Sequence, residues 1–292
     1  MNLNDCQLLA DLFTTRNITH TAANLYISQP ALTYRIKQLE KQYQVALIVR
    51  GSKGIEFTEE GRLLHRHALT MIQNEELFIE QLANVSEEVR GTITIGASGL
   101  FSLYKLPKIL NAFKNMYPNI DIHLKTGWSR DIKEALSLEQ IHVAIIRGNY
   151  IINTEGHLLN KEELYVVSKT PFTKEDVLNL PLITYKTDLS LSQMIDKWWR
   201  NNFDRPIKPT IETDQAATCK EMVKYGMGIA VLPAISIEEE ELFKISLNEF
   251  GEEEYYRETN LYYNKYVQEL RHVSLFLEFL KEWHPKEVEL QY

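Results

Sequence analysis

Ile18-Thr19-His20-Thr21-Ala22-Ala23-Asn24-Leu25-Tyr26-Ile27-Ser28-Gln29-Pro30-Ala31-Leu32-Thr33-Tyr34-Arg35-Ile36-Lys37-Gln38-Leu39-Glu40 reads as two short helices meeting at a tight corner. Ala22, Ala23 and Leu25 give the first helix a thin apolar face that a second helix can cross closely. Ser28 suits an N-cap, and Pro30 suits the first helical turn, where a missing N–H costs no hydrogen bond. Ala31, Ile36 and Leu39 are expected to point inward, leaving Gln29, Thr33, Tyr34 and Lys37 outside. This is the layout of a helix-turn-helix, whose second helix enters the major groove with its first residues on base edges.

The order Ala-Ala, Leu, Ser-Gln-Pro-Ala-Leu-Thr, Ile, Leu-Glu resembles the signature of the LysR-type transcriptional regulators. The resemblance covers the whole chain and is strongest over residues 3–66. Three departures are mild. Thr33 stands where Ser is usual, Ile48-Val49 where Leu-Phe is common, and Tyr43-Gln44 where a Leu-Gly helix stop is usual. None removes a polar group needed for binding.

The 292 residues suffice for two or three compact units, and 44% apolar with 25% charged residues is a soluble globular composition. No apolar run nears the ~20 residues that span a bilayer, and Met1-Asn2-Leu3-Asn4-Asp5 lacks a basic-then-apolar leader. A cytoplasmic protein without membrane partners is therefore expected. The net charge of −8 is unevenly spread. Residues 1–55 hold six Lys and Arg against three acids, a balance of +3. The glutamates at 75, 76, 80, 87, 88 and 238–241 read as solvated faces.

Outward from the opening stretch, residues 1–58 form a winged helix-turn-helix. Leu8, Leu9, Leu12 and Phe13 stripe its first helix, and Gly51-Ser52-Lys53-Gly54 turns a wing hairpin. Residues 59–89 form a linker, opened by Thr58-Glu59-Glu60-Gly61. Its helix runs to about Asn84, with Leu64, Ala68, Met71, Glu75, Phe78 and Leu82 drawing a seam. In the resembled family this helix pairs with that of a second subunit, which implies a dimer or tetramer. Residues 90–292 alternate strands (92–96, 120–124, 143–146, 164–167, 210–213, 259–263) with amphipathic helices, implying an α/β, mainly parallel sheet. The resemblance makes this a two-lobed, periplasmic-binding-protein-like (type 2) effector domain, lobe I being 90–160 with 266–292 and lobe II 161–265.

For DNA, Ser28, Gln29 and Pro30 sit at the helix start. Gln can pair with adenine and an apolar ring can touch a thymine methyl, with Tyr34 one turn on. Thr33, Arg35 and Lys37 suit phosphates, and Arg50 and Lys53 flank the wing. For an effector, crevices at strand ends favour anions. Ser98, Gly99, Leu100 and Phe101, then Arg147, then Thr213 meet that description, and the resemblance adds Thr126 on the same rim. Arg147 can grip a carboxylate by two parallel hydrogen bonds, and Arg257 could supply a second cation. The effector expected is a small carboxylate. No cofactor or metal is called for, since the eight histidines lack ligand or nucleophile spacing. Gly226-Met227-Gly228 opens a strand and is no dinucleotide loop. An enzyme is not expected. The alternatives are a solute-binding protein on the same fold, or a thiol redox sensor using Cys219, with Cys6 far off in sequence.

Overall fold

The structure, a computed structural model, describes residues 1–51, 54–83, 89–238 and 240–283. The chain divides into two compact units, Met1–Val89 and Arg90–Tyr292.

The first unit contains α1 (Leu3–Thr15), α2 (Ile18–Asn24), α3 (Gln29–Tyr43), β1 (Ile48–Gly51), β2 (Gly54–Phe57) and α4 (Glu59–Ala83). Each helix start has a polar cap. Asn2 accepts from the Asp5 N–H at 3.0 Å, and Asp5 returns the bond at 2.9 Å. Asn17 accepts from the Thr19 and His20 amides, and Ser28 from Ala31. The end of α3 departs from the usual Gly stop, because Gln44 takes the left-handed conformation itself (φ 56°). Leu9, Leu12, Leu32, Leu39 and Leu47 are fully buried at the centre.

Two expectations for the corner need correcting. Leu32, not Ala31, faces the core, because Leu32, Ile36 and Leu39 keep spacings of four and three, whereas Ala31 lies five before Ile36. Ala23 is exposed, and the inward contacts of α2 come from Ala22 and from Thr21, whose hydroxyl meets that of Thr15 at 2.6 Å.

β1 and β2 form the antiparallel wing, with Ile55 and Phe57 alternating inward. Thr58 caps α4 by accepting from Gly61 N–H at 2.9 Å. The seam of α4 splits in two. Leu64 and Ala68 are buried and Met71 packs on the unit's own core, while Phe78, Ile79 and Leu82 remain more than half exposed. His65, buried between Phe13 and Phe57, stacks on Phe13 with ring centroids 3.9 Å apart. Burial, with Arg16 and Arg66 nearby, lowers its pKa to about 4 and keeps it neutral.

The second unit runs β3 (Gly91–Ser98), α5 (Gly99–Tyr104), α6 (Leu106–Met116), β4 (Ile120–Gly127), α7 (Ser129–Ser137), β5 (Val143–Arg147) and β6 (Glu155–Ser168). It continues through β7 (Ile183–Tyr185), α8 (Leu189–Asn202), β8 (Ile211–Thr213), α9 (Ala216–Lys224), β9 (Ala230–Pro233), β10 (Phe243–Ser246), β11 (Tyr256–Tyr263) and α10 (Arg271–Glu282). The main sheet has the order β10-β6-β11-β5-β3-β4, with β9 also on β6. It is not mainly parallel. Only β3 with β4 and β3 with β5 are parallel, because helices carry those crossovers. β11 arrives from late in the chain, inserts between β5 and β6, and runs antiparallel to both.

β6 is the thread between the two halves of this unit. Residues 155–163 pair with β11, and 164–168 with β9 and β10. β11 hydrogen-bonds along β5 from Thr259 to Tyr263 and along the first part of β6. Trp198 and Trp199 of α8 bury themselves in the second half's core with Leu164 and Val231. Glu238 and Glu240 are not merely solvated, since they pair with Lys105 and with Lys220 (2.6 Å) and Lys224 (3.1 Å). No helix among the described residues is long and apolar enough to cross a membrane.

Candidate nucleic-acid interface and effector site

The start of α3 presents Ser28, Gln29 and Pro30 to solvent, with Tyr34 63% exposed one turn on and Lys37 beyond it. Thr33 is half-buried and its hydroxyl donates to Gln29 O at 3.0 Å. Arg50 lies in β1; its side chain and Lys53 fall outside the described residues. Arg35 departs from the phosphate role expected of it. It lies one residue before Ile36 and turns toward α1, where Nε and Nη2 (2.8 Å) both bind Asp5. Asp5 is buried, which pushes its pKa up, but the Arg35 and Asn2 hydrogen bonds outweigh this and hold it below the usual value. The pair therefore fixes α3 on α1. Sequence reading missed Asp5, although its Asn2-x-x-Asp5 capping spacing was visible. It also missed Tyr26, 97% exposed at the corner with a left-handed backbone (φ 54°).

In the second unit, Arg147 ends β5 and Arg257 lies on β11, and both are buried. Ser129 Oγ holds the Arg147 backbone by accepting from its N–H (3.1 Å) and donating to its carbonyl (3.0 Å). Neither guanidinium is free. Arg147 Nη2 pairs with Glu162, whose other oxygen accepts from the Ile235 N–H at 2.6 Å. Arg257 pairs with Asp188 and also donates to the Arg147 carbonyl at 3.3 Å. Asp188 in turn caps α8 through Leu191 N–H. Arg147, expected to await a carboxylate, already holds one. Arg257 is buried as well. Its strand faces β6, where its register partner is Glu162. Burial lowers the Arg147 pKa; Glu162 opposes that and Arg257 reinforces it.

Buried polar atoms without partners among the described residues include Arg147 Nε, Arg257 Nε, Ser98 Oγ, Tyr185 OH and Thr259 Oγ1, and Tyr185 lies close enough to both arginines to feel their charge. Thr259 faces Arg147 across the β5–β11 ladder. Of the other expected residues, Gly99 has open space where a Cβ would stand, Leu100 packs on the core around Cys219, and Phe101 is buried. Thr126 is exposed on the sheet's edge strand, its register partner Ala97 next to Ser98. Thr213 is half-buried and donates to Gln215 O at 3.0 Å. Cys219 is buried and its thiol is pushed up to about 12 by burial, so it lacks the thiolate a redox switch needs. Cys6 is buried in the other unit.

Residues 3–62 match the bacterial regulatory helix-turn-helix proteins of the lysR family, and residues 86–285 the LysR substrate binding domain. The chain belongs to the LysR family of transcriptional regulators. It is 36% identical to the uncharacterized HTH-type transcriptional regulator YraN of Bacillus subtilis (96% of this chain, 98% of YraN). Its identity to YkuM of the same organism is 30%, over 97% of each. A full-length OxyR variant from Pseudomonas aeruginosa shares the fold with TM-score 0.70 at 16% identity, covering 97% of this chain and 95% of that one. CbnR in complex with its target DNA matches with TM-score 0.60 at 17% identity, covering 96% and 99%. This LysR regulator is accordingly a DNA-binding protein with an effector-binding domain, not an enzyme.

Proposed function

We propose that this regulator reads operator DNA with Gln29, Pro30 and Tyr34. Ser28, Thr33, Lys37, Arg50 and Lys53 serve the phosphates. Subunits pair through the exposed half of the α4 seam, Phe78, Ile79 and Leu82. Its effector is a small carboxylate-bearing metabolite taken up beside Arg147 and Arg257. A protein that works on the chromosome of a bacterium does so in the cytoplasm.

The observation that carries the effector reading is the set of unpartnered buried atoms. Two guanidinium Nε–H groups can only donate, and three hydroxyls can do so. An oxygen-rich anion satisfies them together. Glu162 and Asp188 act as resident counter-ions, and an incoming carboxylate competes with them for the arginines. The effector shifts the regulator only if the two arrangements bind it unequally.

The test has two arms. In competition gel shifts with the DNA upstream of its own gene, Gln29→Ala is expected to lose ~1–3 kcal/mol of discrimination against arbitrary duplex. Retained preference would misplace the groove contact. In calorimetric titrations of the wild type with organic acids, amino acids and neutral sugars, an acid is expected to bind. A clear preference for a neutral sugar would sink the carboxylate site.

A further inference from the structure

At the base of the wing, Arg16 and Arg62 line a cavity of about 280 Å³ together with Gly54, Ile55, Glu56 and Phe57. Arg16 ends α1 in the left-handed conformation (φ 52°), which is strained for an L-residue. Its guanidinium carbon stands 3.9 Å over the Phe13 ring and 5.0 Å from that of Phe57. It forms no ion pair among the described residues, while Arg62 has only a loose 3.6 Å contact with the exposed Glu59. The two guanidiniums are close enough for Arg62 to lower the Arg16 pKa, after burial, with Glu56 acting the other way.

The backbone around them is built to hold this arrangement. The Arg16 carbonyl accepts from Ile55 N–H at 3.1 Å, tying the α1–α2 corner to the wing. Gly54 has φ +127°, and a Cβ there would stand 2.6 Å from that carbonyl. The cavity thus runs along β2 from Phe57 to Gly54. Two close, like-charged guanidiniums at an open cavity gain most from a shared oxyanion.

We propose that Arg16 and Arg62 clamp a backbone phosphate of the bound duplex at the wing base. The proposal rests on the family's DNA binding and is independent of the effector reading. Such a contact fixes the wing's register without reading sequence, and it adds about one phosphate to the salt dependence of binding.

The test uses the full chain and a 30-bp duplex of arbitrary sequence, with anisotropy measured across salt concentrations. Arg16→Gly removes the charge and suits the left-handed backbone, so its melting temperature is expected to match or exceed wild type. Arg16→Gly and Arg62→Gln are each expected to weaken binding and to shrink the slope of log K against log salt by about one. Combining them should shrink it little further, since both serve one phosphate. Arg16→Lys should keep most of the slope. The preference for upstream DNA over arbitrary duplex should be unchanged. An unaltered slope and affinity in both single variants overturns the clamp. So does stabilisation of the wild type by inorganic phosphate with no change in duplex binding, which would make the cavity a free-anion site.

Discussion

Glu162→Ala is expected to cost the effector domain about 3–5 kcal/mol, the typical loss when one partner of a buried ion pair is removed. The substitution strands the Arg147 charge, with the residue only 2% exposed, and leaves Ile235 N–H without its acceptor. Domain stabilities are only ~5–15 kcal/mol, so this loss should be visible at once in urea unfolding. All four tryptophans (Trp128, Trp198, Trp199 and Trp283) lie in the second unit, so their fluorescence reports its unfolding alone. Replacing both partners by apolar groups of similar size, Arg147→Met with Glu162→Leu, should recover most of the loss, because desolvation offsets much of the pair's attraction. A single-variant loss below ~1 kcal/mol would mean that solvent reaches the pair. The result also bears on regulation. Since Arg147 already has a counter-ion, an effector gains only the difference between its own carboxylate and that of Glu162.

That exchange could not be read from the sequence. Arg147 and Glu162 come together because β11, nearly ninety residues downstream of β6, inserts beside β5. Nothing local to either residue announces it. β6 itself was half legible. Leu164 to Val167 is an apolar run and reads as a strand, whereas Glu155 to Glu163 is polar and becomes strand only because β11 pairs with it. The start of the chain was easier, because its signals are local. Ser28 caps, Pro30 opens a helix, and Ile36 and Leu39 keep helical spacing, although the inward residue before them is Leu32 and not the expected Ala31. Asp5 and Arg35 are thirty residues apart, so the acid that fixes α3 on α1 stayed hidden behind a count of charges. α8 was legible in principle, since Leu191, Ile195, Trp198 and Trp199 recur at helical intervals. The seam of α4 shows a limit of periodicity. One continuous pattern serves the unit's own core at Leu64 and Ala68 and leaves Phe78 and Leu82 uncovered.

Gly61→Ala is expected to disable the DNA-binding unit. At an exposed helical site this change usually stabilises by up to about 1 kcal/mol. Here the sign reverses. A Cβ on Gly61 would stand 2.1 Å from the Leu47 carbonyl oxygen, 3.0 Å from its carbon and 3.1 Å from the Phe57 ring. The carbonyl cannot easily retreat, because it accepts from Thr58 N–H (3.1 Å) and Thr58 Oγ1 (3.3 Å), and Leu47 is fully buried. Relief requires prising the first turn of α4 off the wing, at a cost of about 3 kcal/mol, the upper range for overpacking. Two readouts separate this from general damage. Hydrogen-exchange protection should fall in α1, α3 and α4, and binding to upstream and arbitrary DNA should weaken together. The tryptophan-reported transition of the effector domain should stay where it is. Wild-type protection with intact DNA binding would show that Leu47 yields, and that the joint between α4 and the wing is softer than its hydrogen bonds imply.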